Sequence, residues 1–197
     1  MPRLAFRPVT PAQWNDLESL FGPRGACGGC WCMWWRLPRS RFNSGKGEGN
    51  RKSLKRLVSA GTVPGILAYD GQRPVGWCSV GPRDEFPVLD RSRVLARVDD
   101  QQVWSIVCFF VAKDRRRAGM TGALIAAAVS WARKNGARIV EAYPVEPTGR
   151  GMPDAFAYTG LVSAFTAKGF VEAARRSPHR AVYRLRLGAG LRGKVRR

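Results

Sequence analysis

The sequence has few of the residues from which metal sites and acidic surfaces are built. Its 197 residues include one histidine, His179, and 14 acidic residues against 34 lysines and arginines. The five cysteines contain a Cys-x-x-Cys pair, Cys27 and Cys30, but no second pair. Structural zinc takes four ligands, usually from two separated pairs, so the sequence does not favour zinc. We expect no metal, and thiols rather than disulfides.

Long hydrophobic runs are also missing. No apolar stretch reaches the ~20 residues that a membrane-spanning helix needs. The first ten residues, MPRLAFRPVT, lack the apolar core of a signal peptide. We therefore expect a cytoplasmic protein without a membrane partner. The hydrophobic content of 45% predicts a globular fold, arranged as one domain over residues 1–187 and a basic, disordered tail over residues 188–197.

The scarcity of acidic residues leaves a formal net charge of +20. A basic surface attracts phosphate of any sequence, so nucleic acid is one candidate partner. The arginines are nevertheless spread over many segments, as an arginine-rich composition alone would place them. A solvated basic surface and a basic site for an anionic cofactor are the two other interpretations.

The order of apolar segments indicates the class of fold. The run VWSIVCFFV, residues 103–111, has no polar alternation, which predicts a strand buried on both faces in the centre of a sheet. Predicted hairpins at residues 65–80 and 170–187 flank a strand–helix–strand crossover. We therefore predict an α/β fold with a mixed, mostly antiparallel sheet and helices on both faces.

The stretch FFVAKDRRRAGMTGALI, residues 109–125, joins that central strand to a predicted amphipathic helix. The first turn of a helix has backbone N–H groups without intrahelical partners, and its dipole makes that end electropositive. Such a terminus binds phosphate readily, and a glycine lets an anion approach the backbone. The alternative is a tight turn with exposed arginines.

This run resembles the acyl-CoA site of the GNAT N-acetyltransferase superfamily. In that family a strand ending in apolar-x-Val is followed by Arg/Gln-x-x-Gly-x-Gly/Ala and a helix. Val111 matches the end of the strand, Arg116 the first motif position and Gly119 the first glycine. Thr121 departs from the pattern, since Gly or Ala usually stands there, although Gly122 follows at once.

The resemblance extends over most of the chain. The segment FTAKGF, residues 165–170, is similar to the family's Gly-Phe segment before its last hairpin. The predicted element order also matches from about residue 3 to residue 187. The Cys/Trp-rich insertion at residues 22–42 lies outside the general pattern and is similar to that of a bacterial subgroup.

The resemblance implies acetyl-CoA as co-substrate and an amine as acceptor. The pantetheine arm would lie between the strands at 103–111 and 138–143. The backbone N–H of Val111 would face the thioester oxygen, where a preorganised donor stabilises the tetrahedral intermediate. The implied cofactor-binding residues are Phe109, Val111, Arg116, Arg117, Ala118, Gly119, Met120, Thr121 and Gly122.

Two proton transfers complete the implied reaction, in which the amine attacks directly. The family often uses a tyrosine four residues before the Gly-Phe glycine as the acid, but here that residue is Phe165. Tyr158 is the nearest substitute, with an ordinary buried tyrosine as the alternative. Glu141 is the first candidate for the base, and Tyr143 and Glu146 are further ones. An acceptor amine of low pKa would need no base.

The Cys/Trp-rich insertion has three interpretations. Cys27, Cys30 and Cys32 could form part of a zinc site or a redox pair, or they could be apolar thiols packed among tryptophans. In the resembled family this region often borders the acceptor site, so its rings, including Trp34 and Trp35, predict a pocket for an apolar or aromatic amine.

The acceptor class is therefore predicted to be a primary amine of a small molecule, with protein amines left open. A cluster of acidic residues before the central strand could attract a cationic amine, or could pair with arginines: Asp84, Glu85, Asp90, Asp99 and Asp100. We expect a monomer or a homodimer. The alternatives are a basic nucleic-acid-binding protein and a GNAT-fold acyl-CoA binder without catalysis.

Overall fold

The sheet positions the candidate site. The structure, a computed structural model, describes residues 4–147 and 157–188. Its strands are β1 (Ala5–Pro8), β2 (Gly65–Asp70), β3 (Arg73–Pro82), β4 (Trp104–Val111), β5 (Ile139–Ala142), β6 (Val171–Ser177) and β7 (Arg180–Arg186). They form one sheet in the order β1-β2-β3-β4-β5-β7-β6. Of the described strand pairs, β4 with β5 is parallel and the rest are antiparallel. The predicted mixed, mostly antiparallel sheet is confirmed.

Six helices accompany the strands in the described part of the chain. They are α1 (Trp14–Phe21), α2 (Arg39–Ser44), α3 (Glu48–Ser59), α4 (Pro87–Asp90), α5 (Met120–Lys134) and α6 (Val162–Thr166). The short helix α2 was not predicted, because its sequence lies in a segment without periodicity. Most of the predicted tail, residues 189–197, lies outside the described residues.

Helices cover both faces of the sheet, as predicted. On one face α1, α3 and the Cys/Trp-rich insertion enclose Trp77 and Val107. On the other face α5 and α6 pack against Ile106 and Phe109. The apolar stripe of α5 is buried as its periodicity predicted. Both faces of β4 are therefore buried, and β4 lies fourth among the seven strands. Among the described residues, no helix is both long and apolar enough to cross a membrane.

A β-bulge at Val107 interrupts β4 just after its pairing with β5 ends. Ser79 on β3 pairs with Cys108, but the next residue, Val80, pairs with Ile106, so Val107 is the extra residue. Val107 and Cys108 consequently pack into the same cluster, on the α1 face. Because a bulge bends its strand and increases the local twist, the second half of β4 turns away from the line of its first half.

A buried ionic network holds β5 in place. The carboxylate of Glu141, which is fully buried, accepts hydrogen bonds from Arg83 (2.6 Å), Arg184 (2.7 Å) and the Tyr143 hydroxyl (2.7 Å). Ser105 on β4 bonds to the same hydroxyl at 2.8 Å. The network thus joins β4, β5, β7 and the connection before β4.

Removal of the Glu141 charge should destabilise the protein strongly. In Glu141→Gln two buried arginines lose their shared counter-charge, and breaking a buried ion pair costs about 3–5 kcal/mol. Urea unfolding should show that loss in the free energy of unfolding. The control is Glu172→Gln, which removes an exposed carboxylate from its ion pair with Arg175 and should change little. Equal effects of the two substitutions would contradict the structural role of Glu141.

Candidate functional site

The start of α5 has no side-chain cap. Gly119 precedes the helix in the left-handed region, at φ 74°, and no side chain caps the helix. The first intrahelical bond runs from the Ala123 N–H to the Gly119 carbonyl. The N–H groups of Met120, Thr121 and Gly122 therefore have no intrahelical acceptor, and the helix dipole adds positive potential at this end.

The basic residues around this terminus have different roles. Arg115 forms an ion pair with Asp70 on β2 and so fixes the loop to the sheet. Arg116 donates through Nε to the Val111 carbonyl at 3.1 Å. Lys168, which the sequence analysis missed, lies beside the first turn, since a Cβ placed on Gly122 would be 3.5 Å from its Cε. The three arginines are thus not simply an exposed basic face.

Strands β4 and β5 part well before β4 reaches Val111, the predicted acyl site. Their pairing covers three residue pairs and ends at Ile106 with Ala142. Further along β4, the Ala112 N–H donates to the Val75 carbonyl on β3. By the alternation of an antiparallel ladder, the Val111 N–H then points to the opposite edge, where β5 has ended.

The same edge of β4 carries a contact that the sequence did not predict. The Phe109 N–H donates to the Tyr158 carbonyl at 2.6 Å. Gly160 allows this approach: its φ is 85°, and a Cβ there would lie 2.7 Å from the Phe165 ring and 3.1 Å from the Phe109 ring. The segment from residue 157 to residue 160 therefore lies in the opening between β4 and β5.

Tyr158 and Phe165 have separate environments. Phe165 is fully buried and packs against Phe109 and Phe170, so it is a core ring. Burial raises the pKa of the Tyr158 phenol, while the positive charge of Arg180 and its hydrogen bond act in the opposite direction. Tyr158 therefore stays protonated at neutral pH and keeps a proton that it can donate.

A cavity of about 290 Å³ adjoins this edge of β4. Its walls come from the Cys/Trp-rich insertion, from α2 and from the end of β4. The lining residues are Ala26, Cys27, Gly28, Cys30, Cys32, Trp34, Trp35, Phe42, Lys46, Cys108, Phe109, Phe110 and Tyr158. The cavity is thus largely apolar and aromatic. Phe109, whose N–H donates to the Tyr158 carbonyl, is one of its lining residues. We call it the aromatic pocket.

Four of the five cysteines are partly or fully buried thiols, and Cys27 is exposed. Cys32 lies 3.3 Å from Cys108, measured between the sulfur atoms, and accepts a hydrogen bond from the Trp77 indole at 2.9 Å. A hydrogen bond to Cys32 and burial raise the pKa of Cys30. Burial raises the pKa of Cys78 as well. Within residues 4–147 and 157–188, no three His, Cys, Asp or Glu side chains are grouped so that they could hold a metal ion.

The acidic cluster before β4 is used for internal ion pairs. Four of its five carboxylates pair with arginines, which is the second of the two alternatives given above. The pairs are Asp84 with Arg97, Glu85 with Arg36, Asp90 with Arg83, and Asp99 with Arg184. None of these acidic residues lines the aromatic pocket.

Comparison with known proteins identifies the family. The family model described as the acetyltransferase (GNAT) family matches residues 31–151, more than half of the chain. The chain belongs to the GNAT acetyltransferase family. It is thus an acyltransferase by family, and the resemblance carried by Val111, Arg116 and Gly119 is confirmed. A search of curated proteins finds no match to this GNAT chain.

Solved structures share the GNAT fold at low sequence identity. An acetyltransferase of the GNAT family from Listeria monocytogenes is 9% identical, with a TM-score of 0.58 over 93% of this chain and 95% of that one. The PaiA N-acetyltransferase of Thermoplasma acidophilum, solved in complex with coenzyme A, is 10% identical, with a TM-score of 0.53 over 94% and 99%. A ribosomal-protein-alanine N-acetyltransferase of Brucella melitensis is 16% identical, with a TM-score of 0.51 over 93% and 99%. These similarities show the fold.

The structure places the predicted site residues in two groups, and Glu141 belongs to neither. Phe109, Val111 and Tyr158 lie together at the open edge of β4, and the predicted residues from Arg116 to Gly122 form the α5 terminus. Glu141 lies apart: it pairs with Ser105, about 20 Å along β4 from Val111 at the rise per residue of a strand. Its role as a base stays a prediction that this geometry disfavours.

The thiols of this GNAT chain should differ sharply in reactivity. Cys27 is exposed, Cys30 is partly buried, and Cys32, Cys78 and Cys108 are buried. Reaction requires the thiolate, which burial disfavours. Iodoacetamide should therefore alkylate Cys27 quickly, as measured by mass spectrometry of peptides, and reach the others only in urea. Cys27→Ser should lose the fast phase; rapid alkylation of Cys32 or Cys108 in the folded protein would show that the packing is wrong.

Proposed function

We propose that this chain is an acetyl-CoA-dependent N-acetyltransferase that acetylates a primary amine of a small molecule by direct attack. The observation that carries this proposal is the position of the uncapped α5 terminus beside the end of β4 that β5 no longer pairs: Met120 lies close to Gly76, which pairs with Val111. One element offers N–H donors to phosphate, and the other offers an open strand edge to an extended chain. The complex of the Thermoplasma acidophilum PaiA relative with coenzyme A supports the same co-substrate.

The described residues fit a ligand of this kind. The N–H groups from Met120 to Gly122 lack intrahelical acceptors, and the exposed Arg117 and Lys168 add positive charge nearby. These groups would hold the phosphates. At Thr121, where the family usually has Gly or Ala, the backbone N–H is still one of these donors, and the side chain adds a hydroxyl to the proposed phosphate site. The edge of β4 at Val111 would hold the end of the pantetheine arm, whereas the Phe109 N–H is already bonded to the Tyr158 carbonyl.

The chain's own residues then have distinct tasks. When bound, the co-substrate supplies an activated acetyl group as a thioester. The Val111 N–H would donate to its oxygen, because the Phe109 N–H is already engaged by Tyr158. The Tyr158 phenol would donate a proton to the departing thiolate. Glu141 is too deeply buried and too strongly held to receive a proton from an amine at this edge.

The aromatic pocket is the proposed place of the amine. It adjoins the open edge of β4 through Phe109 and Phe110, so an amine bound there lies beside the reacting group. Its volume of about 290 Å³ is at the lower end of the range for small-molecule sites. A small molecule therefore suits it better than a folded protein surface does.

Binding of acetyl-CoA should raise the melting temperature. A ligand at about a hundred times its dissociation constant adds about 2.7 kcal/mol of stability, which is about 5–10 °C for a chain of this size. Free coenzyme A and short duplex DNA are the comparators. No shift with either coenzyme A species, together with salt-sensitive stabilisation by DNA, would favour nucleic-acid binding instead.

The substitution Gly119→Ala should weaken this binding. A residue with a Cβ is strained at the positive φ of Gly119, by about 1–2 kcal/mol, and it displaces the N–H groups of the first turn. One lost charge-assisted hydrogen bond, worth about 1.5–3 kcal/mol, corresponds to about tenfold or weaker binding in calorimetry.

Gly136→Ala is the matched control for Gly119→Ala. Its φ is 87°, and neither glycine has an atom within 4 Å of the added Cβ, so the backbone strain is similar. Gly136 follows the other end of α5 and should leave the affinity unchanged. An equal loss of affinity in the two variants would argue against phosphate binding at the α5 start.

A further inference from the structure

The charges at the aromatic pocket restrict the acceptor further. The exposed Lys46 lines the pocket. The positive charges of Arg180 and Arg39 act on the phenol of Tyr158, which also lines it. Of the described lining residues, none is Asp or Glu. The pocket therefore has a positive potential, which attracts an anionic group and opposes a cationic one.

One aromatic ring of the pocket, Trp34, already binds a cation of the protein. The guanidinium of Arg39 lies 3.5 Å from the centre of the Trp34 ring and covers that face. Trp34 also makes T-shaped contacts with Trp35 and Phe42. Since the protein's own cation takes this cation–π position, an ammonium ligand would have to displace it.

The proton chemistry points in the same direction. A protonated amine must lose a proton before it attacks, and Glu141 is remote and bound to two arginines. The described pocket lining holds no carboxylate that could replace it. An aromatic amine needs no base before it attacks, because its lone pair is delocalised into the ring and the amine is neutral at pH 7. The proton that its nitrogen loses as the amide forms would return to the Tyr158 oxygen, which has given its own proton to the departing thiolate.

We propose that the acceptor is a small aromatic amine that carries a carboxylate or a similar anionic group. The ring packs against the indoles and phenyl rings of the pocket, the anion faces Lys46, and the amine reaches the open edge of β4 without the help of a base. This inference rests on the proposed N-acetyltransferase activity. It excludes polycationic amines as preferred acceptors.

The test compares acceptors that differ in charge but hardly in shape. The probes are 4-aminobenzoate, its uncharged amide 4-aminobenzamide, and benzylamine, which is a cation at pH 7.5. Release of the coenzyme A thiol measures turnover with acetyl-CoA. We expect kcat/KM to be about tenfold higher for 4-aminobenzoate than for the amide, as one favourable charge contact would give, and lowest for benzylamine. Equal values for acid and amide, or preference for benzylamine, would overturn the proposal.

Two lysine variants test whether the preference for 4-aminobenzoate comes from the aromatic pocket. Lys46→Gln should remove most of the preference for 4-aminobenzoate over 4-aminobenzamide. Lys134→Gln, at the end of α5 on the other face of the sheet, removes the same charge and should leave the preference intact. An equal loss in both variants would assign the preference to net charge rather than to the pocket and would contradict the proposal.

A separate measurement distinguishes failure of this inference from failure of the proposed function. If acetyl-CoA does not bind, or no probe releases thiol, the N-acetyltransferase proposal fails. In that case, calorimetry of 4-aminobenzoate and 4-aminobenzamide in the absence of acetyl-CoA tests the inference about the pocket by itself. Tighter binding of 4-aminobenzoate that Lys46→Gln weakens would support an anion-selective aromatic pocket. Equal affinities, or no binding of either compound, would overturn it.

Discussion

The site depends on a parallel pairing that stops after three residue pairs. Strands β4 and β5 are held together at Ser105 and Glu141 by a carboxylate that binds two arginines. Beyond that point the bulge at Val107 bends β4, and β5 ends at Ala142. A sheet normally satisfies its backbone groups by ladder pairing. Beyond Ile106, β4 has no strand partner on its β5 side, and the Phe109 N–H bonds to the Tyr158 carbonyl instead. The edge of β4 at Val111 is the part that we propose for the co-substrate.

The sequence predicted the elements better than the details of the site. Unbroken hydrophobicity identified β4, periodicity identified the buried face of α5, and a glycine after a strand identified the start of α5. The bulge at Val107 left no signal, since Val107 and Cys108 are apolar like their neighbours. Long-range contacts could not be predicted either: the bond from Phe109 to Tyr158 and the place of Lys168 depend on how distant segments meet.

Glu141 illustrates why residue type alone is a weak guide to a role. A glutamate on the strand after the motif helix has the chemistry of a base, and its sequence position suggested one. Its role depends on Arg83 and Arg184, which are 58 and 43 residues away in sequence. Two buried guanidinium groups need a counter-charge more than a solvated amine needs a base, because desolvation is far more costly in the interior.

The small number of acidic residues explains why the described pocket lining holds no carboxylate. With 14 carboxylates for 34 basic side chains, the acidic cluster before β4 is taken up by internal arginines such as Arg36 and Arg83. These pairs allow arginines to be buried, but they leave Lys46 as the charged side chain of the described pocket lining, with Arg39 and Arg180 acting on Tyr158. The positive potential there is therefore a consequence of how the few carboxylates are distributed. For the proposed anionic acceptor, this distribution matters more than the net charge itself.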